Sequence, residues 1–236
     1  MSLEDLGVKP QLTLLRIEQL NLETPSPGTL IEGGTVIRNA AGLHLFTTDK
    51  TAGAVNTSIV YYHAVDKQSP FHFVKRLICC STVVCDGVDP RASLWAPMPS
   101  YDEETQLWHL FYVGYKSTPN NASGWYLNFD GRIYHAISSV KGEGGIGGPY
   151  EDVDVVLEPD STSQDWEGLQ GTDSISPPFH LADGTLAAFY GSAHTEIPPP
   201  PQYQRPHMWW NGIVTAKKLG DRYQRLLPTS VVNFND

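Results

Sequence analysis

An all-β chain of repeated four-stranded antiparallel units, about three of them, is what the 236 residues predict. Three observations carry that expectation. One hairpin layout recurs three times along the chain. The segments flanking each turn are rich in Val, Ile, Tyr, Phe and Thr, which suit a pleated, half-buried surface. The chain also holds 21 Gly and 18 Pro, enough to punctuate it into short elements rather than long helices.

The first copy of the layout runs Gly34–Arg38, a turn over Asn39–Gly42, then Leu43–Thr48. The second runs Ala96–Tyr101, a turn over Asp102–Gln106, then Leu107–Tyr115. The third runs Pro177–Leu181, a turn over Ala182–Thr185, then Leu186–Ser192. Phe46, Phe111 and Phe189 align, and the turns carry the Asn-x-x-Gly or Asp-Gly chemistry of hairpins. A third apolar stretch follows each hairpin, at Ser58–Ala64, Gly131–Ile137 and Asn211–Ala216. A fourth, outer one is expected at Phe71–Ile78, Val153–Leu157 and Tyr223–Leu227. A four-stranded antiparallel unit repeated around an axis is a β-propeller blade. A β-sandwich is the plainer alternative, but a repeat longer than ~40 residues is atypical of sandwiches.

Composition excludes several classes of function. The net charge is −10 and no basic stripe is present, so nucleic acid is not expected as a partner. No apolar run reaches the roughly 18 residues of a membrane helix, so no membrane partner is expected. Cys79, Cys80 and Cys85 crowd into one short stretch, which is neither a disulfide framework nor a zinc pattern. They are expected as buried strand thiols. Residues Met1–Gln11 show neither a basic n-region nor an apolar h-region, and the compartment stays open. Gly142–Gly147 spells G-x-G-x-x-G, but no helix-forming segment follows it, so an inter-strand loop is expected rather than a dinucleotide site.

The segment SLWAPMPSYDEETQLWHLFYVGYKS, with Trp95-Ala96-Pro97 ahead of Trp108–Tyr115, resembles the second blade of five-bladed β-propeller glycoside hydrolases. These are the arabinanase, xylosidase, invertase and levansucrase-like enzymes. The segments around Ile31–Asp49 and Gly171–His194 resemble other blade starts of the same group, and the resemblance covers roughly residues 28–227. It implies hydrolysis of glycosidic bonds in an oligo- or polysaccharide, with carbohydrate as the partner and no organic cofactor. A structural calcium is implied by the resemblance only. Departures from the pattern stand out. Met98 occupies the place where Asp usually follows Trp-Ala-Pro, Glu32 stands near the place of a first-blade Asp-Pro, and Thr172-Asp173-Ser174 loosely matches a third-blade Ile-Asp-Pro. A fourth blade is expected to begin at Thr229–Phe234, so the family's fourth-blade general-acid Glu has no counterpart before Asp236. A single propeller domain over residues 1–236 is therefore expected, either truncated at its C-terminus or completed by assembly.

Glycoside hydrolysis needs two carboxyls across the scissile bond, one to protonate the leaving oxygen and one to activate water or attack. The innermost strand of each blade starts at the axis, so carboxylates at those starts converge although they are distant in sequence. Glu32, Asp89 and Asp173 are the catalytic candidates on that ground. The plain alternatives are a solvated turn carboxylate beside Gly33-Gly34 for Glu32 and a cap or turn residue for Asp173. For Asp89, which precedes Pro90, the plain alternative is an Asp-Pro turn initiator. Arg91 stands close enough in sequence to pair with Asp89 and lower its pKa. Trp95 is the candidate sugar platform and Trp166 a second one, each weighed against a core Trp. His194 and His207 flank the loop between them and are candidate pocket residues. No side-chain set specifies a metal. The competing functional reading is a catalytically inactive carbohydrate-binding propeller, motivated by Met98 and the absent fourth-blade Glu. A protein-interaction propeller, motivated by acidity and by Pro198–Pro201, is a third.

Overall fold

The computed structural model describes residues 20–23, 29–51, 57–80, 86–120, 125–159, 167, 170–194 and 208–226. These form three sheets. The first contains β1 (Leu22–Glu23), β2 (Thr29–Asn39), β3 (Gly42–Thr51), β4 (Ser58–Ala64) and β5 (Phe71–Ile78), in the order β1-β5-β4-β3-β2. The second contains β6 (Ser93–Asp102), β7 (Leu107–Asn120), β8 (Trp125–Ser138) and β9 (Tyr150–Leu157), in sequence order. The third contains β10 (Thr172–Ile175), β11 (Phe179–His180), β12 (Leu186–His194), β13 (Met208–Ala216) and β14 (Gln224–Arg225). There β10 and β11 both pair with β12, which pairs with β13 and through it with β14. Among the described residues the strand ladders are antiparallel, apart from that of β1 with β5; a single parallel bridge joins Gly131 and Gly171. The described residues are all-β, three propeller blades in succession with five, four and five strands. Among the described residues the one helical element is a 3₁₀ turn, Glu143–Gly147, which takes up the glycine-rich stretch.

The turns form where the sequence places Asn and Asp. Asn39 Oδ1 accepts from the Ala41 amide (2.8 Å), Asp102 Oδ1 from the Glu104 amide (2.9 Å), and Asp183 Oδ1 from the Thr185 amide (2.9 Å). Each closes its hairpin by bonding the backbone two residues on. The third blade departs from expectation in its innermost strand. A continuous Pro177–Leu181 strand is replaced by β10 and β11, split at Ser176–Pro178, because Pro177 and Pro178 have no N–H for the ladder.

Packing between blades explains the aromatic-rich strand β7. Leu110 and Tyr112 face the first blade, where Phe46, Ile59 and Tyr61 meet them, all nearly inaccessible to solvent. Phe111, Val113 and Tyr115 face the third blade and meet Ile175, Ala188, Tyr190 and Val214. A strand buried on both faces loses the apolar–polar alternation, which is why Leu110–Val113 reads as an unbroken apolar run. Each large side chain buried there contributes roughly 1.5–3 kcal/mol. Phe46 and Phe111 each point toward the blade that follows. Phe189 points the same way, away from the second blade, and is 43% exposed beside Phe179 at 5.4 Å. The alignment of the three aromatics holds, but no described residue covers the last one. The cysteines also differ from expectation. Cys79 is exposed and Cys80 half-buried just beyond β5, where the ladder has ended, while Cys85 lies outside the described residues.

Candidate functional site

The innermost strands β2, β6 and β10 are each interrupted at an equivalent place. Register shifts fall between Glu32 and Gly34, between Trp95 and Met98, and between Thr172 and Ser174. A bulge of this kind inserts residues without ladder partners and re-aims a side chain. Gly33 takes the left-handed φ of 56° that glycine tolerates freely; Ala96 takes 50° and bears the strain of its Cβ. The three bulges turn Glu32, Trp95 and Asp173 into one hollow of about 320 Å³. Tyr115, Asn128 and Gln170 complete its lining.

The hollow therefore unites Glu32 and Asp173, the two carboxylates with the strongest sequence argument, with the aromatic expected to accompany them. Asp89 does not line it. Its carboxylate accepts from the Arg91 amide (2.8 Å) in the turn ahead of β6, as expected of a turn initiator. Arg91 turns its guanidinium to Asp152 (2.8 Å) and lies over the rings of Tyr112 and Tyr134, 5.8 and 5.3 Å from their centroids. It is an anchor between strands and does not line the hollow either. Trp166 and His207 lie outside the described residues. His194 ends β12, and its side chain lies outside the described part as well.

Burial pushes the Asp173 carboxyl above the ordinary carboxylate range, and the nearby Glu32 pushes in the same direction. Hydrogen bonds from Tyr115 and Ser174 oppose that shift without cancelling it. The Tyr115 hydroxyl, fully enclosed beside Asp173, is held well above its usual range and remains a donor. Burial also lowers the Lys50 ammonium, while Glu32 raises it. Lys50 Nζ stands 5.7 Å from the centroid of the Trp95 ring, so a ligand stacking on Trp95 shares that ring with a cation. The Trp95 indole is fixed by its N–H donating to Ser93 Oγ (2.6 Å), and Ser93 is tied to Thr57 of the first blade (2.9 Å).

Sequence reasoning missed Lys50 and Tyr115. The repeat holds the signal that finds them: Lys50 lies four residues beyond Phe46, and Tyr115 four residues beyond Phe111. The second strand of each blade delivers that position to the same end of the axis. Among the described residues, no group of three His, Cys, Asp or Glu is placed to hold a metal ion.

No family model matches the chain, and no curated protein does. Solved structures match. One, described as a glycoside hydrolase, superposes with a TM-score of 0.65 at 13% identity, covering 92% of this chain and 62% of its own. A family 117 glycoside hydrolase from the marine bacterium Zobellia galactanivorans gives 0.64 at 12% identity, over 90% and 61%. An endo-arabinase from Bacteroides thetaiotaomicron gives 0.53 at 15% identity, over 85% and 61%. The fold is that of the propeller glycoside hydrolases. At these identities the likeness is one of fold, and the present chain spans about three fifths of the length of those structures.

Proposed function

We propose that this chain is a glycoside hydrolase-like protein acting on glycosidic bonds of an oligo- or polysaccharide. The observation that carries the reading is the meeting of Glu32, Asp173 and Trp95 at the bulged starts of three innermost strands. In this reading Asp173, whose carboxyl burial shifts above the ordinary range, protonates the leaving oxygen. Glu32 activates water or attacks the anomeric carbon. Trp95 supports the apolar face of the sugar, and Tyr115 holds Asp173 in position. Lys50 keeps positive charge beside Glu32.

A second reading is a carbohydrate-binding propeller without turnover. It is favoured by Met98, which takes no part in the hollow. Its sulfur accepts a weak hydrogen bond from the Thr35 hydroxyl (3.7 Å), and its side chain packs into the seam between the second and third blades.

The test is reducing-sugar release from arabino-, xylo- and fructo-oligosaccharides, paired with calorimetry on the same panel. Release that falls at least ~100-fold in both Glu32→Gln and Asp173→Asn supports the hydrolase reading. Heat of binding that disappears in Trp95→Ala, with no release from any substrate, supports the binding reading. Neither heat nor release across the panel overturns both.

A further inference from the structure

We propose that the molecule carries a second carbohydrate-binding subsite, without catalytic groups, at the opposite end of the blade axis, where one sugar hydroxyl is held between His109 and Asp102. This site is independent of whether the hollow at Glu32 turns over substrate.

A cleft of about 820 Å³ opens there between the second and third blades. Strand β2 runs from Glu32 in the hollow to Ile37 in the cleft, and β6 runs in the same sense from Trp95 to Tyr101. Five residues of extended chain put the two openings roughly 16 Å apart. Between them the Thr35 hydroxyl bonds the Pro97 carbonyl (3.1 Å) and closes the axis against Met98. The cleft is thus a separate site.

Its floor holds an unfilled hydrogen-bonding group. His109 is only 4% exposed, and its Nδ1 lies 2.8 Å from His135 Nε2, with the two rings stacked at 4.9 Å. Its other nitrogen, Nε2, has no hydrogen-bond partner. The nearest carboxylate oxygen, Asp102 Oδ2, is 3.9 Å away, too far for a direct bond. An oxygen at hydrogen-bond distance from both atoms sits to one side of the line that joins them, as the apex of a triangle. The Asp102 charge favours the tautomer with the proton on His109 Nε2, which leaves His135 Nε2–H to donate to His109 Nδ1.

An atom at that apex therefore meets an N–H from one side and a carboxylate from the other. A hydroxyl satisfies both, accepting from His109 and donating to Asp102. A carboxylate or phosphate meets repulsion from Asp102, and the cleft's carboxylates Asp102, Glu103, Glu104 and Asp221 outnumber its lysines Lys217 and Lys218; an ammonium meets the His109 N–H. The walls suit the CH face of a sugar ring. Tyr101 lies against Trp108 at 5.1 Å, and Pro177 and Leu219 stand opposite.

The experiment uses the full chain carrying Glu32→Gln and Trp95→Ala, so that the hollow is silenced, with ¹³C-labelled histidine rings followed by NMR. Arabinobiose, xylobiose and sucrose are titrated into the millimolar range. The expected result is a saturable shift of the His109 ring resonance with at least one sugar, and at least tenfold weaker binding after Leu219→Trp, which fills the cleft from its rim. Asp102→Asn, which keeps the turn acceptor but removes the charge, weakens it as well. A His109 resonance that none of the three sugars moves overturns the proposal. So does a shift that survives Leu219→Trp in a protein whose backbone spectrum is otherwise unchanged.

Discussion

The hydroxyl of Tyr115 donates to Oδ1 of Asp173 across the seam between the second and third blades. One residue lies on the second strand of its blade and the other at the bulge of the next blade's innermost strand. The bond fixes the carboxyl that burial shifts above its ordinary range, so packing of two blades and tuning of one acid are the same contact.

Removing that donor has a defined sign. A hydrogen bond to a carboxylate stabilises its charged form, so Tyr115→Phe raises the Asp173 pKa further. With Asp173 as proton donor, the alkaline limb of the pH–rate profile moves to higher pH. The lost positioning lowers kcat/KM about 10- to 100-fold. A pH–rate profile of the variant on whichever oligosaccharide the wild type cleaves measures both effects, and an unmoved limb removes Asp173 from the acid role.

Glu167 is 2% exposed and is held by Arg225 through two bonds of 2.5 and 2.6 Å and by the Tyr190 hydroxyl at 2.6 Å. Its carbonyl also accepts from Ser192 Oγ (3.0 Å), tying the approach to β10 onto the third blade. Glu167→Gln leaves the Arg225 guanidinium partly buried and uncompensated. It is expected to cost about 3–5 kcal/mol in urea unfolding.

Gly131 marks the closest approach of the second and third blades. Its N–H donates to the Gln170 carbonyl (2.8 Å), its carbonyl accepts from the Thr172 hydroxyl (2.8 Å), and an added Cβ would stand 2.1 Å from the Thr172 carbonyl oxygen. Gly131→Ala is expected to destabilise by about 3 kcal/mol, at the upper end of overpacking costs. Because β10 is displaced with it, turnover or sugar binding falls more than in a surface variant such as Glu151→Ala, measured side by side.

The buried histidines are expected to make this protein less stable as pH falls from 6.5 toward 4. Burial and the neighbouring His109 lower His135 to about 4, and burial with His63 lowers His44 to about 4. His44 is held neutral by accepting from the Tyr61 hydroxyl (2.7 Å) and donating to Asn39 Oδ1 (2.8 Å). Each group's folded pKa lies below its unfolded value of 6.5, so the unfolded chain binds more protons between those limits. Their contribution is fully present above pH 6.5 and is lost as pH falls toward 4, at up to about 1.4 kcal/mol per pH unit for each ring. Thermal melts across that window show a falling midpoint. The fall is shallower in a His135→Asn variant.

The blade layout was legible because it is written in local chemistry. Asn39, Asp102 and Asp183 set the turns, and β4 and β5 occupy the stretches expected from their residues alone. The break in the third blade's innermost strand was also written there, since Pro177 and Pro178 cannot donate to a ladder, but the hairpin pattern overrode it. The site was half legible. Of the three carboxylates marked by their place at strand starts, Glu32 and Asp173 line the hollow, and Asp89 accepts from the Arg91 amide in the turn ahead of β6. Lys50 and Tyr115 were hidden because a lysine and a strand tyrosine carry no local signature of function.

The sequence alone determined the repeating hairpins, the all-β class and the carboxylates available to a site, because turns and strand periodicity depend on residues a few positions apart. Only the tertiary structure decided which carboxylates meet, which ring accompanies them, and that His109 faces a cleft with one nitrogen unpaired. Those outcomes depend on where bulges fall and how blades pack, which are contacts between residues far apart in the chain.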